Sequence, residues 1–451
     1  QYANQTINIS PAPSVSLIPR KPRSFVMGPI RMLAENRFEF LNVTKDIIEV
    51  EDWNQPRQDK LWLYNLHYFD DLNSINANQR TNWHNSLIER WVNDNPIGYG
   101  NGWEPYPSSL RIINWIKWIV IGNSFEQKWL DSLAIQVRYL SHNLETHLLG
   151  NHLFANAKAL VFAGLFFNGK ESDRWYQIGL NIIEKELLEQ VLDDGGNFEL
   201  SPMYHSIFLE DLLDLVNIHQ IYDTRLISGV EDKIPSMLSW LRSMCHPDSG
   251  VSFFNDTAFG IAPSLKDLID YSVRLNIKKI SKKFKPLEHL KDSGYIRIEK
   301  ENLVAILDVA NIGPNYIPGH GHADVLSFEM SIFGSRVIVN SGTSIYEETS
   351  ERHKQRSTAA HSTVVVDGQN SSEVWSSFRV ARRAKVIYIK TKENKNNTEV
   401  SASHDGYKRL KGKPIHKRDW VFFDDKVIIK DSITGDGIHK VMSILPLHPD
   451  V

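Results

Sequence analysis

Residues 271–309 read YSVRLNIKKISKKFKPLEHLKDSGYIRIEKENLVAILDV. The period of the chain changes along this stretch. Up to about Leu275 the dominant repeat is helical, with apolar residues three and four apart. From residue 295 onward, short Val/Ile-rich runs (295–298, then 303–309) are separated by Gly, Asn, Asp and Lys, the mark of strands and turns. Between the two lie Lys278, Lys279, Lys282, Lys283 and Lys285, ending at Pro286. Such a run reads as a solvated linker.

Upstream of the switch, helical segments are expected at 61–72, 87–92, from Pro107 and Ser108 onward, and at 125–148, 153–167, 172–192, 202–222 and 234–244. Six or more helices joined by short loops predict antiparallel helical hairpins. Residues 1–57 read as irregular, broken by Pro11, Pro13, Pro19, Pro22 and Pro29. Downstream, strands are expected at 326–332, 336–339, 362–366, 384–389, 399–403, 420–423, 426–429 and 441–445. They describe an antiparallel β region. The predicted organisation is an irregular segment at 1–57, a helical domain at 58–286 and a β domain at 290–451. The chain stops at Val451, soon after a strand-like run, so the β domain is expected to be cut short at its C-terminus.

A chain of 451 residues is too long for one small core. Its formal net charge of −3 argues against a dedicated nucleic-acid binder but leaves room for a basic cleft that takes an anionic glycan. The single Cys245 excludes an internal disulfide and a cysteine-based zinc finger. It suits the cytoplasm or a bacterial periplasm. The chain opens on Gln1, so a processed or trimmed form is expected, in which a removed signal peptide leaves no trace. No apolar run approaches the ~20 residues of a membrane span. Nothing in the sequence selects an oligomeric state.

Four segments carry chemistry. Asn151 and His152 stand where a loop becomes a helix, as a cap or as an amide beside a titratable ring. Asp194 to His205 reads DGGNFELSPMYH. Ser201 is a good N-cap and Pro202 a good first helical residue, which puts Tyr204 in the first turn near the positive helix end. A packed tyrosine is the plain alternative. In GHGHAD (319–324), His320 and His322 are two apart and would share a face of a strand. Two same-face histidines are half of a metal site or part of a hydrogen-bonded polar cluster, with Asn340 and His361 farther on. In WEPYP (103–107), flat rings suit sugar stacking, and Arg111 can fork onto a carboxylate or sulfate. Trp103, Glu104, Tyr106, Arg111, Asn114, Glu199 and Arg356 are the substrate-binding candidates. Paired carboxylates for glycoside hydrolysis could be drawn from Glu104, Asp194, Glu199 and Asp256, but the Asn/His/Tyr/His set is more coherent.

In combination, GNHLFANAKALVFAGLFF (150–167), DGGNFELSPMYHSIFLEDLLDL (194–215), GHGHADVLSFEMSIFGSRVIVNSGTSIYEE (319–348) and RSTAAHSTVVVDGQNSSEVW (356–375) resemble the heparinase II/III-like polysaccharide lyases. WEPYPSSLRIINWIKW (103–118) and LWLYNLHYFDDL (61–72) resemble the subgroup found with bacterial surface-polysaccharide genes. The resemblance implies an N-terminal (α/α) toroid followed by an antiparallel β-sandwich, with an active site in the cleft between them. It implies β-elimination at a uronic acid in an anionic polysaccharide or oligosaccharide, with no required cofactor and a periplasmic or secreted setting. Carried over residue by residue, Asn151 matches the amide that neutralises the uronate carboxylate, and His152 a neighbouring base. Tyr204 matches the acid, or base and acid, and His320 the catalytic histidine of the β domain. His322 and His361 match histidines that coordinate a structural metal, zinc or calcium, in some members. The third ligand there is an aspartate, where this chain has Asn340. A uronate C5-epimerase, which reprotonates from the opposite face, uses the same groups. A non-catalytic glycan-binding protein of exopolysaccharide assembly would bind without product. A structural scaffold explains neither the Gly-His-Gly-His run nor the start of the Tyr204 helix.

Overall fold

The computed structural model describes residues 7–277 and 283–451. Lys278, Lys279 and Lys282 of the expected linker lie outside the described residues. The chain divides into two compact units. One comprises Gln1–Leu188, Glu210–Glu231 and Tyr271–Ile277; the other comprises Glu189–Leu209, Asp232–Asp270 and Lys278–Val451.

The first unit is mostly helical, but it opens with a small antiparallel sheet of strands β1 (Met32–Ala34), β2 (Arg37–Phe40) and β3 (Val43–Asp46). This sheet lies in the stretch that reads as irregular. Leu41 and Asn42 both take positive φ, 53° and 59°, and close the β2–β3 hairpin with the two-residue twist that tight hairpins prefer. Phe38 and Phe40 bury, and Phe40 meets Trp62 edge to face at 5.2 Å.

The helices follow in series: α1 (Lys60–Tyr68), α2 (Thr81–Asp94), α3 (Pro105–Val120), α4 (Gln127–His142), α5 (Gly150–Phe166), α6 (Lys170–Gln190), α7 (Pro202–Ile221), α8 (Val230–Ser243) and α9 (Leu265–Arg274). Asp59 caps α1 by accepting from the Trp62 amide at 2.6 Å. Helix α5 is buried on every side, with Leu153, Phe154, Ala157, Leu160, Val161 and Phe166 at most 5% exposed, so it is an inner helix rather than an amphipathic surface one. Gly179 of α6 lies against its backbone: a Cβ there would meet the Ala157 carbonyl oxygen at 2.6 Å. Among the described residues, no helix is long and apolar enough to cross a membrane.

The second unit holds the β-sandwich. One sheet is a five-stranded meander of β4 (Leu287–Leu290), β5 (Tyr295–Lys300), β6 (Leu303–Asp308), β7 (Phe328–Ile332) and β8 (Ser335–Ile338). The short helix α10 (Ser350–Arg356) follows, then strands β9 (Val364–Val366), β10 (Val374–Trp375) and β11 (Arg379–Val380). The second main sheet is β12 (Val386–Glu393), β13 (Thr398–His404), β14 (Ile415–Phe422) and β15 (Val427–Thr434); β16 (Val441–Ser443) pairs with β9. Ile296, Ile298, Leu307, Phe328 and Met330 of the first sheet pack with Val400, Ala402, Trp420 and Phe422 of the second in one apolar core. Every pairing within these sheets is antiparallel.

The GHGHAD segment is not a strand. Strand β6 ends at Asp308 and β7 begins at Phe328, so residues 319–324 lie in the loop between them. The shared face predicted for His320 and His322 is thus replaced by a shared partner.

Candidate functional site

That partner is Asp256. Its carboxylate, fully buried, accepts from His320 Nδ1 at 2.9 Å and from His322 Nε2 at 2.9 Å. The Arg352 guanidinium forks onto the same carboxylate, with Nη2 at 2.7 Å and Nη1 on the other oxygen. Burial works against the charge on Asp256, but the hydrogen bonds from Arg352, His320 and His322 outweigh it and hold the pKa well below the usual carboxylate range. The Asp256 backbone N–H also donates to the His320 carbonyl at 3.1 Å.

The tyrosine stands where the helix-start reading places it. Helix α7 begins at Pro202, and the Tyr204 amide donates to Ser201 Oγ at 3.3 Å. Ser201 Oγ in turn donates to the Asp256 carbonyl at 2.6 Å. The Tyr204 ring lies over the His320 ring with centroids 3.8 Å apart and planes 29° apart. Its hydroxyl donates to that of Tyr346 at 3.1 Å. Burial pushes the Tyr346 phenol above its ordinary range. His320 Nε2 comes within 3.6 Å of Glu199 Oε2. Tyr204, Glu199, His320 and His322 are therefore brought together in one unit.

Asn151 and His152 belong to the first unit and are described there. The N-cap of α5 is Leu149, so Asn151 is not the cap; it sits with His152 in the first turn. His152 Nδ1 is 3.0 Å from Glu145 Oε1, and Glu145 Oε2 accepts from Asn156 Nδ2 at 3.0 Å. The imidazole is tilted over Tyr106 at 4.4 Å.

Other candidates point into the core. Trp103 is 3% exposed, and its indole N–H donates to the Asn95 carbonyl. Arg111 is buried: it shares a helix stripe with Trp115 and Trp118, lies 3.8 Å from the Trp91 ring centroid, and donates to Gln136 Oε1 and to the carbonyls of His67 and Gly102. Burial pushes its pKa well down. Neither offers a face or a fork to a sugar. Arg356 likewise spends its donors on the carbonyls of Gly321, Ser376 and Arg379. Asn114 bonds the Tyr68 carbonyl and Asp70, and Glu104 pairs with Lys60 at 3.0 Å and accepts from Tyr64.

The proposed metal residues form a proton-counting problem. His322 Nε2 faces Asp256, His322 Nδ1 faces His361 Nε2 at 3.1 Å, and His361 Nδ1 faces the Ser357 carbonyl at 2.7 Å. Both ends accept only, so three links need three positive hydrogens, and two neutral imidazoles carry two. Two hydrogens leave the 3.1 Å contact between His322 Nδ1 and His361 Nε2 without one, and burial disfavours a further proton on either ring. Two imidazole nitrogens at that spacing suit one zinc ion, which binds nitrogen at ~2.0–2.1 Å. They do not suit calcium, which takes oxygen ligands. Asn340 is a poor third donor: its side-chain oxygen accepts from the Ser362 amide at 3.3 Å, and its Nδ2 is buried without a partner. Among the described residues, no group of three His, Cys, Asp or Glu could hold a metal.

Comparison with known proteins places the chain in a family. The model for the heparinase II/III N-terminus matches residues 68–275, and that for the heparinase II/III-like C-terminal region matches 283–451. The chain belongs to the heparinase II/III-like family. Within it, a heparin-sulfate lyase of Bacteroides stercoris is 26% identical over 326 residues, covering 66% of this chain and 46% of that protein. One from Pedobacter heparinus is 25% identical over 397 residues, covering 77% and 56%. The chain thus spans about half the length of these relatives. Two solved structures share the fold. Heparinase III has a TM-score of 0.65 at 18% identity, covering 88% of this chain and 65% of that one. A heparan sulfate lyase mutant from Pedobacter heparinus has a TM-score of 0.59 at 20% identity, covering 92% and 69%. The fold class is therefore a helical (α/α) toroid followed by an antiparallel β-sandwich.

Sequence reasoning missed three of these side chains in their present roles. Asp256 was weighed only as a hydrolase carboxylate. Arg352 and Tyr346 were not selected, although Arg352 stands four residues before Arg356, one turn away on the same helix face.

Proposed function

We propose that the chain acts as a polysaccharide lyase on a uronic-acid-containing anionic polysaccharide, cleaving it by β-elimination. The observation that carries this reading is Tyr204 stacked on His320 at 3.8 Å, its hydroxyl on Tyr346 and the histidine anchored by Asp256. Family membership supports it, and the names of the relatives make heparan-type glycosaminoglycan the first polymer to try.

The reaction removes the C5 proton of the uronate. Its electrons form the C4–C5 double bond, the C4–oxygen bond breaks, and the leaving oxygen takes a proton. Tyr204 is assigned the proton transfers. An ordinary tyrosine titrates near ~10, so a tyrosine that takes a proton needs stabilisation of its anion. The first turn of α7, and the Tyr346 hydroxyl turned to donate once Tyr204 has ionised, can give it. His320 offers Nε2 on the side away from Asp256. The family resemblance assigns carboxylate neutralisation to Asn151, where an amide donor stabilises charge that develops as the proton leaves. A zinc ion held by His322 and His361 would brace the 319–324 loop, and no proton-transfer step runs through it.

The test follows the ultraviolet absorbance of unsaturated uronate while heparan sulfate, chondroitin sulfate and alginate are each incubated with wild type and Tyr204→Phe. Absorbance that rises with wild type alone supports the lyase. Silence on all polymers, with solvent deuterium entering C5, replaces it with an epimerase.

A further inference from the structure

We infer that Asp256, clamped by Arg352, is the positioning residue for His320, fixing the ring with its proton on Nδ1 and leaving Nε2 as the working nitrogen. This rests on the lyase reading only for its kinetic consequence.

The argument starts from the number of bonds that converge on one carboxylate. Oδ2 receives His320 Nδ1 and Arg352 Nη2, and Oδ1 receives His322 Nε2 and Arg352 Nη1. An ionised carboxylate only accepts, so every nitrogen facing it carries hydrogen. Nδ1 of His320 is therefore the protonated nitrogen. Nε2, at 3.6 Å from Glu199, is farther than a hydrogen bond and lies on the other side of the ring. Arg352 is itself held, through the Ser377 carbonyl at 2.9 and 3.1 Å and Thr343 Oγ1 at 2.9 Å, so the carboxylate cannot swing. Asp256 also grips the His320 backbone through its own N–H. Ring and main chain of His320 thus hang from one residue. Asn cannot replace it: one amide oxygen would face claims from two histidines and a guanidinium, and the NH2 would be turned on donors.

Two measurements test this. In the wild-type protein labelled with 15N-histidine, His320 resonances are assigned by their loss in His320→Gln. A protonated-type shift at Nδ1 is expected; an unprotonated-type shift there overturns the inference. This reading needs no substrate, so it stands or falls apart from the lyase reading, and it carries the test should Asp256→Asn fail to fold. On heparan sulfate, Asp256→Asn is expected to lower kcat on the order of 100-fold or more with KM within about threefold. Unchanged kcat, or a loss confined to KM, overturns the positioning role.

Discussion

Of the five histidines that lean on buried carboxylates among the described residues, two reach solvent, and three of the five make a useful comparison. His320 sits on Asp256, His152 on Glu145 and His84 on Asp71, at 2.9, 3.0 and 2.8 Å. His84 is 0% exposed, His320 15% and His152 33%. The Asp71 group has the same ingredients as the Asp256 group, including an arginine, Arg80, at 2.8 Å. Yet its remaining bonds go to the amides of Arg31 and Met32, which tie the first strand to the helices. An Asp–Arg–His cluster is therefore not a functional signature in itself. What separates the groups is access and what covers the ring. His320 and His152 each lie against a tyrosine, Tyr204 and Tyr106, whereas His84 meets Trp118 edge-on at 6.4 Å inside the core. The two accessible groups differ as well. Asp256 is matched by a guanidinium, whereas Glu145 is steadied by the neutral amide of Asn156.

The sharpest way to break the comparison is to remove the accessible pair. Tyr204→Phe and His320→Ala are each expected to lower turnover by ~100-fold to 10,000-fold with the fold retained, read by product absorbance and circular dichroism. Normal turnover in either would put the Asp256 group on the same footing as Asp71. Next, Arg352→Met leaves the buried Asp256 carboxylate without its guanidinium, held by two imidazoles alone, and should cost about 3–5 kcal/mol of stability, read from denaturant midpoints. A loss under ~1 kcal/mol would mean that water reaches the carboxylate. Asn151→Ala should lower kcat by about 10-fold to 100-fold and leave KM nearly unchanged; an effect on KM alone would assign Asn151 to ground-state binding.

The smallest effect belongs to the structural group and depends on pH. Burial opposes the charge of Asp71, but hydrogen bonds from His84, Arg80 and the Arg31 and Met32 amides lower its pKa below the ordinary carboxylate value. A depressed carboxylate stabilises the fold above its unfolded pKa and loses that contribution as pH falls through the folded one. The stability gap between wild type and Asp71→Asn should therefore be widest near neutral pH and shrink by roughly 2 kcal/mol on acidification below about pH 4. A gap independent of pH would mean that Asp71 acts by shape alone.

Much of this was legible in the sequence, and the failures share a cause. Ser201, Pro202 and Tyr204 were readable because a helix start depends on three adjacent residues. Helices α3, α5 and α7 were readable because each is a long run rich in apolar residues. The small sheet at Met32–Asp46 was hidden because its strands are three or four residues long and its turn is Leu-Asn, without glycine. Arg111 and Trp103 were placed on the cleft because a sequence shows that an arginine can fork but not which way a helix stripe faces. Asp256 was invisible in its true role because its partners stand 64, 66 and 96 positions away. No local pattern encodes such a meeting.

Strand β14 was glimpsed only at its end for a related reason, and that reason bears on how the sandwich assembles. Its inward residues alternate as His416, Arg418, Trp420 and Phe422, with Arg418 forked onto Asp431 of β15 at 2.7 and 2.9 Å and bonded to the Leu326 carbonyl. A slip of one residue would turn Lys417 and Asp419 inward and expel Trp420 and Phe422. The buried fork is thus a register lock: apolar burial already rejects a slip of one residue, whereas a slip of two keeps the same face inward and is opposed by parting Arg418 from Asp431.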